Sequence, residues 1–213
     1  NSRMNEKYFL PEPVVIESRA EGDKKEDYIV GYAARFDKWS VPLSDWSKNG
    51  FVEQIDQRAF DGVDMTKVVS SVNHDFNKIL GRSDKGTLKL TVDKIGLRYE
   101  LKVPNTTVGR DTLEDVRNGN LSGSSFVFTT ESDKWVFNKD KPDERTVLKV
   151  GKLIELGPVN MPAYPDSSAE AAKRSYDLAK SETEEEKEKA EKRELEKRLE
   201  KLKRKYNYEK TKF

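Results

Sequence analysis

Residues 124–130 read SSFVFTT, a short run in which hydroxyl-bearing and apolar side chains alternate. On an extended strand successive side chains point to opposite faces. Phe126 and Phe128 therefore share a face with Ser124, while Ser125 shares the other with Gly123 and Val127. Similar alternation, bounded by Gly, Pro, Asn and Asp, recurs at 28–36 (YIVGYAARF), 67–73 (KVVSSVN), 87–92 (TLKLTV), 97–103 (LRYELKV), 134–137 and 145–156. About seven strands at this spacing predict a mainly β domain, a barrel or a sandwich, with flanking helices. The short Gly-containing connection DKIG at 93–96 predicts a hairpin. Helical pattern is sparse. It appears at 109–118, where Leu113 and Val116 lie three apart and Gly119 or Asn120 supplies a stop, and at 52–60, where Val52, Ile55 and Phe60 share a face.

The chain has 213 residues, 37% charged and 34% hydrophobic, with a formal net charge of +1. The charge is unevenly spread. Residues 180–213 hold 13 Lys/Arg and 10 Asp/Glu, against 27 and 29 in the first 179, so the body is a normally charged domain that can bury a core. A net charge this small gives no large basic field for nucleic acid or an anionic membrane. Cysteine is absent, which excludes disulfides, thiolate nucleophiles and Cys-ligated metals; no cofactor or metal is called for. No apolar run reaches membrane-spanning length and no hydrophobic signal segment opens the chain, so a soluble intracellular protein is expected. Asn1, Ser2 and Arg3 precede Met4 and are read as an expression remnant.

After Pro165 the composition changes. Residues 167–180 read as a capped helix start leading into the charged tail, where Glu185/Lys189, Glu188/Lys192, Glu194/Arg198 and Glu200/Arg204 set acid four residues before base. Leu195, Leu199, Leu202 and Tyr206 form a seam too short to specify a coiled coil. The tail fits either a solvated helix or partly disordered arm, or a partner-binding helix. The expected organisation is an N-terminal arm (1–27), a β-rich domain (28–168) and a charged helical or disordered tail (169–213).

Three residues stand out chemically. His74 is the only histidine, hence the one natural side chain for proton exchange near neutral pH, although a lone histidine is as readily a surface residue. Ser125 faces away from Phe126 and Phe128, beside a glycine that leaves room for another backbone, which suits an exposed nucleophile on a rigid strand; a Ser/Gly turn that opens a strand also fits. Glu155 lies in the apolar run Leu153-Ile154-Glu155-Leu156 and needs a partner. That partner is either an imidazole, as in a Ser-His-acid triad, or one of Arg35, Arg98 and Arg145. Asp75 is a weaker rival for the orienting role, and Ser122 and Ser124 are alternative nucleophiles.

Read together, the segments gain specificity. His74 in NHD, Gly81-Arg82, residues 86–90 (GTLKL), Asp93 and Gly96-Leu97-Arg98, Gly109-Arg110-Asp111, residues 119–126 (GNLSGSSF), Glu155-Leu156-Gly157-Pro158-Val159 and Pro162-Ala163-Tyr164-Pro165 follow in order. The series resembles the prohead (capsid maturation) proteases of tailed bacteriophages over roughly residues 28–168, beginning with Gly31-Tyr32-Ala33 and Phe36. The resemblance implies a barrel like that of herpesvirus assemblins and a serine endopeptidase with His74, Ser125 and Glu155 as catalytic residues. In the assemblins a second histidine takes the third place; here no second histidine exists, so an acid must serve. Val127 stands where the family usually has glycine, and Gly157 replaces a common Ser or Val. The implied substrates are capsid-protein and scaffold segments, and then the protease itself through the poorly ordered stretch after Pro165, inside the immature phage capsid in the host cytoplasm. No nucleic acid or membrane partner is implied, and a homo-oligomer is left open. Backbone N–H groups within 119–125 are a candidate oxyanion site. The competing function is a catalytically silent capsid-assembly or scaffold-anchoring protein that acts through its helical tail.

Overall fold

The computed structural model describes residues 4–43, 49–160 and 166–210, without the side chains of 21, 166–169 and 204–210. Pro162, Ala163, Tyr164 and Pro165, and the first three residues, lie outside the described residues. In chain order the elements are β1 (Glu6–Leu10), β2 (Val15–Glu21), β3 (Lys24–Arg35), β4 (Phe51–Ile55), β5 (Val69–Val72), β6 (Asp75–Arg82), β7 (Leu88–Val92), β8 (Gly96–Lys102), α1 (Thr107–Arg117), β9 (Gly123–Val136), β10 (Asp143–Val159) and α2 (Asp166–Lys210). The chain is mainly β with a C-terminal helix, as its alternation predicts. The strands do not close into the expected barrel. They form two open sheets, one of order β1-β9-β10-β5-β6 with β4 also on β10, the other of order β2-β3-β8-β7. The reason lies in β10, whose 17 residues pair with β9 along one edge and are shared on the other between β4 at one end and β5 at the other.

Several elements differ from the sequence expectation. Strands begin at Glu6 rather than at residue 28, because Glu6, Tyr8 and Leu10 all face inward; the period of two is present, but a buried acid stands in one of its apolar places. Glu6 is held by Arg145, 1% exposed, whose Nη1 donates to Glu6 Oε2 (2.5 Å) and Glu53 Oε2 (3.3 Å) and whose Nε donates to Asp133 Oδ2 (2.8 Å). That ion cluster ties β1, β4, β9 and β10 together. Residues 51–55 form a strand instead of opening a helix: Phe51, Glu53 and Ile55 are buried alternately, and parallel pairing with β10 overrides the weak 3.6-residue pattern. The expected strands at 124–130 and 134–137 are one, β9. Helix α1 appears as expected, its N-terminus capped by Thr106 Oγ1, which accepts from Gly109 N at 3.0 Å, and Gly119 follows its end with φ +75°.

The core lies between the sheets. Phe126 stands at its centre, 4.7 Å from Phe128, 5.5 Å from Tyr8 and 5.8 Å from Phe60 between ring centroids, with Ile29, Leu97, Tyr99, Leu101, Leu153 and Leu156 buried around it. The chain divides into two compact units, residues 1–173 and 174–213. In the second, Leu178, Leu195, Leu199 and Leu202 are exposed and Lys189 lies 3.4 Å from Glu185. Among the described residues no helix is long and apolar enough to cross a membrane.

Candidate active site

The β5–β6 connection is two residues long, Asn73 and His74, and both have positive φ, +52° and +60°. Paired left-handed residues characterise the type I′ hairpin turn, which twists in the sense of its strands and favours Asn. For histidine the conformation is costly, and it is stabilised by contacts with β10. Asn73 N donates to Pro158 O (3.2 Å), and Asn73 Oδ1 accepts from Asn160 N (2.9 Å). The turn is thereby pinned to the end of the strand that carries Glu155.

Glu155 reaches the same place through a β-bulge. Opposite β9, Leu153 pairs with Phe128, Glu155 with Val127, Leu156 with Phe126 and Gly157 with Ser125, so one extra residue, Ile154, interrupts the register. Strict alternation would set Glu155 on the face of Leu153. The bulge instead lets Leu153 and Leu156 both enter the core and turns Glu155 and Gly157 to the face of Ser125. Gly157 is required by close approach: a Cβ there would lie 2.1 Å from Ser71 O.

On this face His74 Nδ1 lies 2.5 Å from Glu155 Oε2, and His74 Nε2 lies 2.8 Å from Ser125 Oγ. With the carboxylate oxygen as acceptor, Nδ1 donates to Glu155 and Nε2 is left to accept from the serine hydroxyl. The three residues singled out in the sequence thus form one hydrogen-bonded chain. Glu155 is fully buried and the His74 side chain 11% exposed. Arg35 pairs with Glu12, Arg98 with Glu100, and Arg145 with the cluster described above, so the rival partners of Glu155 are engaged elsewhere. Asp75 is turned along its own strand, β6, where Oδ1 accepts from Asn77 N (2.9 Å).

The chain matches the family model for caudovirus prohead serine protease over residues 14–197. It belongs to that family. No curated protein matches the sequence. Among solved structures, the bacteriophage T4 capsid assembly protease, gp21, superposes with a TM-score of 0.45 at 12% identity, covering 73% of this chain and 98% of that one.

One expectation about Ser125 needs correction. Ser125 does face away from the phenylalanines, but it is 2% exposed, with the His74 ring against its hydroxyl. The room beside Gly123 is used by another backbone, as expected: a Cβ there would lie 2.8 Å from Leu10 O of β1, and 2.6 Å from Phe9 Cε2. Ser124 points into the core, where its Oγ is 2.8 Å from the Tyr99 hydroxyl. Burial pushes the Tyr99 phenol well above its ordinary value; its bond to Ser124 opposes the rise and the Glu155 charge adds to it, so it stays neutral. The oxyanion region fares less well. Gly119 N, Asn120 N, Leu121 N and Ser122 N all donate to acceptors within the fold, respectively Val116 O, Asp115 O, Asp115 O and Val159 O.

Sequence reading missed two groups that build this site, Asn73 and Ser71. An Asn-X dipeptide between two alternating runs is a hairpin signal, and it was available for Asn73 once 75–82 is read as a strand. Ser71 had no such signal, since its partner is 84 residues away.

Proposed function

We propose that this family member is an active serine endopeptidase in which Ser125 is the nucleophile, His74 the base and Glu155 the group that orients and stabilises the imidazole. The observation that carries this reading is the continuous hydrogen-bonded chain from Glu155 Oε2 through His74 to Ser125 Oγ. As Ser125 Oγ bonds to a peptide carbonyl carbon, its proton passes to His74 Nε2 and the carbonyl oxygen takes the negative charge. Collapse breaks the C–N bond, and the amine leaves with the proton from Nε2. Water then repeats the sequence on the acyl-enzyme and frees Ser125. During each half-reaction the imidazolium faces the Glu155 carboxylate, and burial of that carboxylate reduces screening by solvent.

Family membership supports capsid-protein and scaffold segments as substrates, and action inside the immature capsid. Self-cleavage in the chain that follows β10 belongs to the same proposal. Co-production with the capsid and scaffold proteins tests it: wild type should yield truncated products, Ser125→Ala should yield none, and intact capsid and scaffold beside wild-type protease would refute the substrate assignment. A silent assembly protein would give the same full-length bands for both variants and would leave Ser125 inert to a phosphonylating probe.

A further inference from the structure

Ser71 has no part in the chemistry above, yet it is fully buried against the triad. It lies on β5, where the parallel register sets Val69 beside Glu155, so that Ser71, two residues on, shares the face of the carboxylate. Its hydroxyl donates to Glu155 Oε1 at 2.7 Å and its backbone N–H donates to the same oxygen at 3.3 Å. Oε1 is the oxygen that His74 does not use. The adjacent Ser70 Oγ, equally buried, has no hydrogen-bond partner among the described residues, so a serine at this depth does not by itself secure one.

We propose that Ser71 is a positioning residue that acts through Glu155, an inference that rests on the triad roles given above. The last torsion of a glutamate is broad and roughly two-fold, so packing alone fixes the carboxylate plane poorly. A short charge-assisted bond to Oε1 sets that plane and aims Oε2 at His74 Nδ1. With Oε1 so engaged, Oε2 is left to accept from Nδ1, which leaves Nε2 facing the Ser125 hydroxyl. Without the hydroxyl, Oε1 would retain only the long backbone bond. The orientation of the imidazole would then depend on a carboxylate free to turn.

The test is a double-mutant cycle on the full chain, read as the rate at which a fluorophosphonate labels Ser125 over a range of probe concentrations. Ser71→Ala should slow the bond-forming step about tenfold, the value of one charge-assisted hydrogen bond, and leave the half-saturating probe concentration unchanged. In a Glu155→Gln background the same substitution should change the rate less than about twofold, because the group it acts through is already lost. Equal slowing in both backgrounds would mean that Ser71 matters only for packing, and would overturn the proposal. So would a Ser71→Ala rate equal to wild type. Ser71→Cys, similar in shape and a weaker donor, guards against misfolding of the alanine variant: it should label at an intermediate rate, and a wild-type rate there would also count against the role. Failure of wild type to label at all would instead remove the triad reading on which the inference stands.

Discussion

Ser125, His74 and Glu155 differ in what they contribute, and their substitution should separate them. Ser125→Ala and His74→Ala remove the proposed nucleophile and base, so each should abolish cleavage; Ser125→Ala deletes a single oxygen and should leave the melting temperature within a few degrees of wild type, whereas His74→Ala takes a partner from the buried Glu155 and should lower it. Glu155→Gln should cost less, on the order of 10³–10⁴ in rate, since the amide still packs but no longer selects the tautomer. Cleavage by His74→Ala at a near-normal rate would contradict the assignment. His74 and Ser125 stood out in the sequence only as candidates, one as the lone histidine and the other on a strand whose phenylalanines fix its face, and the family resemblance singled them out. Glu155 was legible as a carboxylate in need of a partner, but its geometry was not. The bulge at Ile154 breaks the period of two on which the reading of faces depends.

Among the elements, the β7–β8 hairpin and the Arg145 cluster make contrasting predictions. In the hairpin, burial would raise the Asp93 carboxyl, but bonds donated by Tyr32 Oη, Ile95 N and Gly96 N outweigh it and hold the group below the usual carboxylate range. A carboxyl lowered on folding adds stability above its unfolded value, and that stability is lost as pH falls through the folded one. Asp93→Asn should therefore melt below wild type at pH 7, and the gap should narrow on acidification below about pH 4. A gap that does not change with pH would show that the turn bonds, not the charge, carry the effect. At Arg145 burial opposes the charge, yet the Glu6, Glu53 and Asp133 carboxylates hold the guanidinium above its ordinary value. Arg145→Ala leaves three acids facing one another in the interior and should cost about 3–5 kcal/mol, measured by denaturant unfolding. A loss under about 1 kcal/mol would mean that water enters and solvates the acids. The hairpin was legible from DKIG. The cluster was not, because its charges come from four strands that only the tertiary fold brings together.

At the level of the full chain, the mainly β body and the charged helix were both legible from composition and periodicity, while the two-sheet arrangement was not. Closure depends on which strands share an edge, and the split edge of β10 leaves no mark on local sequence. Helix α2 buries Ala171, Ala172 and Tyr176 near its start, whereas from Ser181 to Lys203 its described side chains are exposed apart from the half-buried Thr183. Truncation after Lys180 should then leave the melting temperature of the body nearly unchanged. A fall of more than about 5 °C would show that the removed segment contributes to the stability of the fold. Membership of the prohead protease family makes proteolysis the expected work of this fold, and the proposed mechanism rests on an activated Ser125. Mass-spectrometric mapping of a fluorophosphonate adduct on the wild-type chain and on His74→Ala tests this most directly. One adduct on Ser125, formed rapidly in wild type and lost in His74→Ala, is the predicted result. Labelling at another residue, or at Ser125 with equal speed in both proteins, would contradict it.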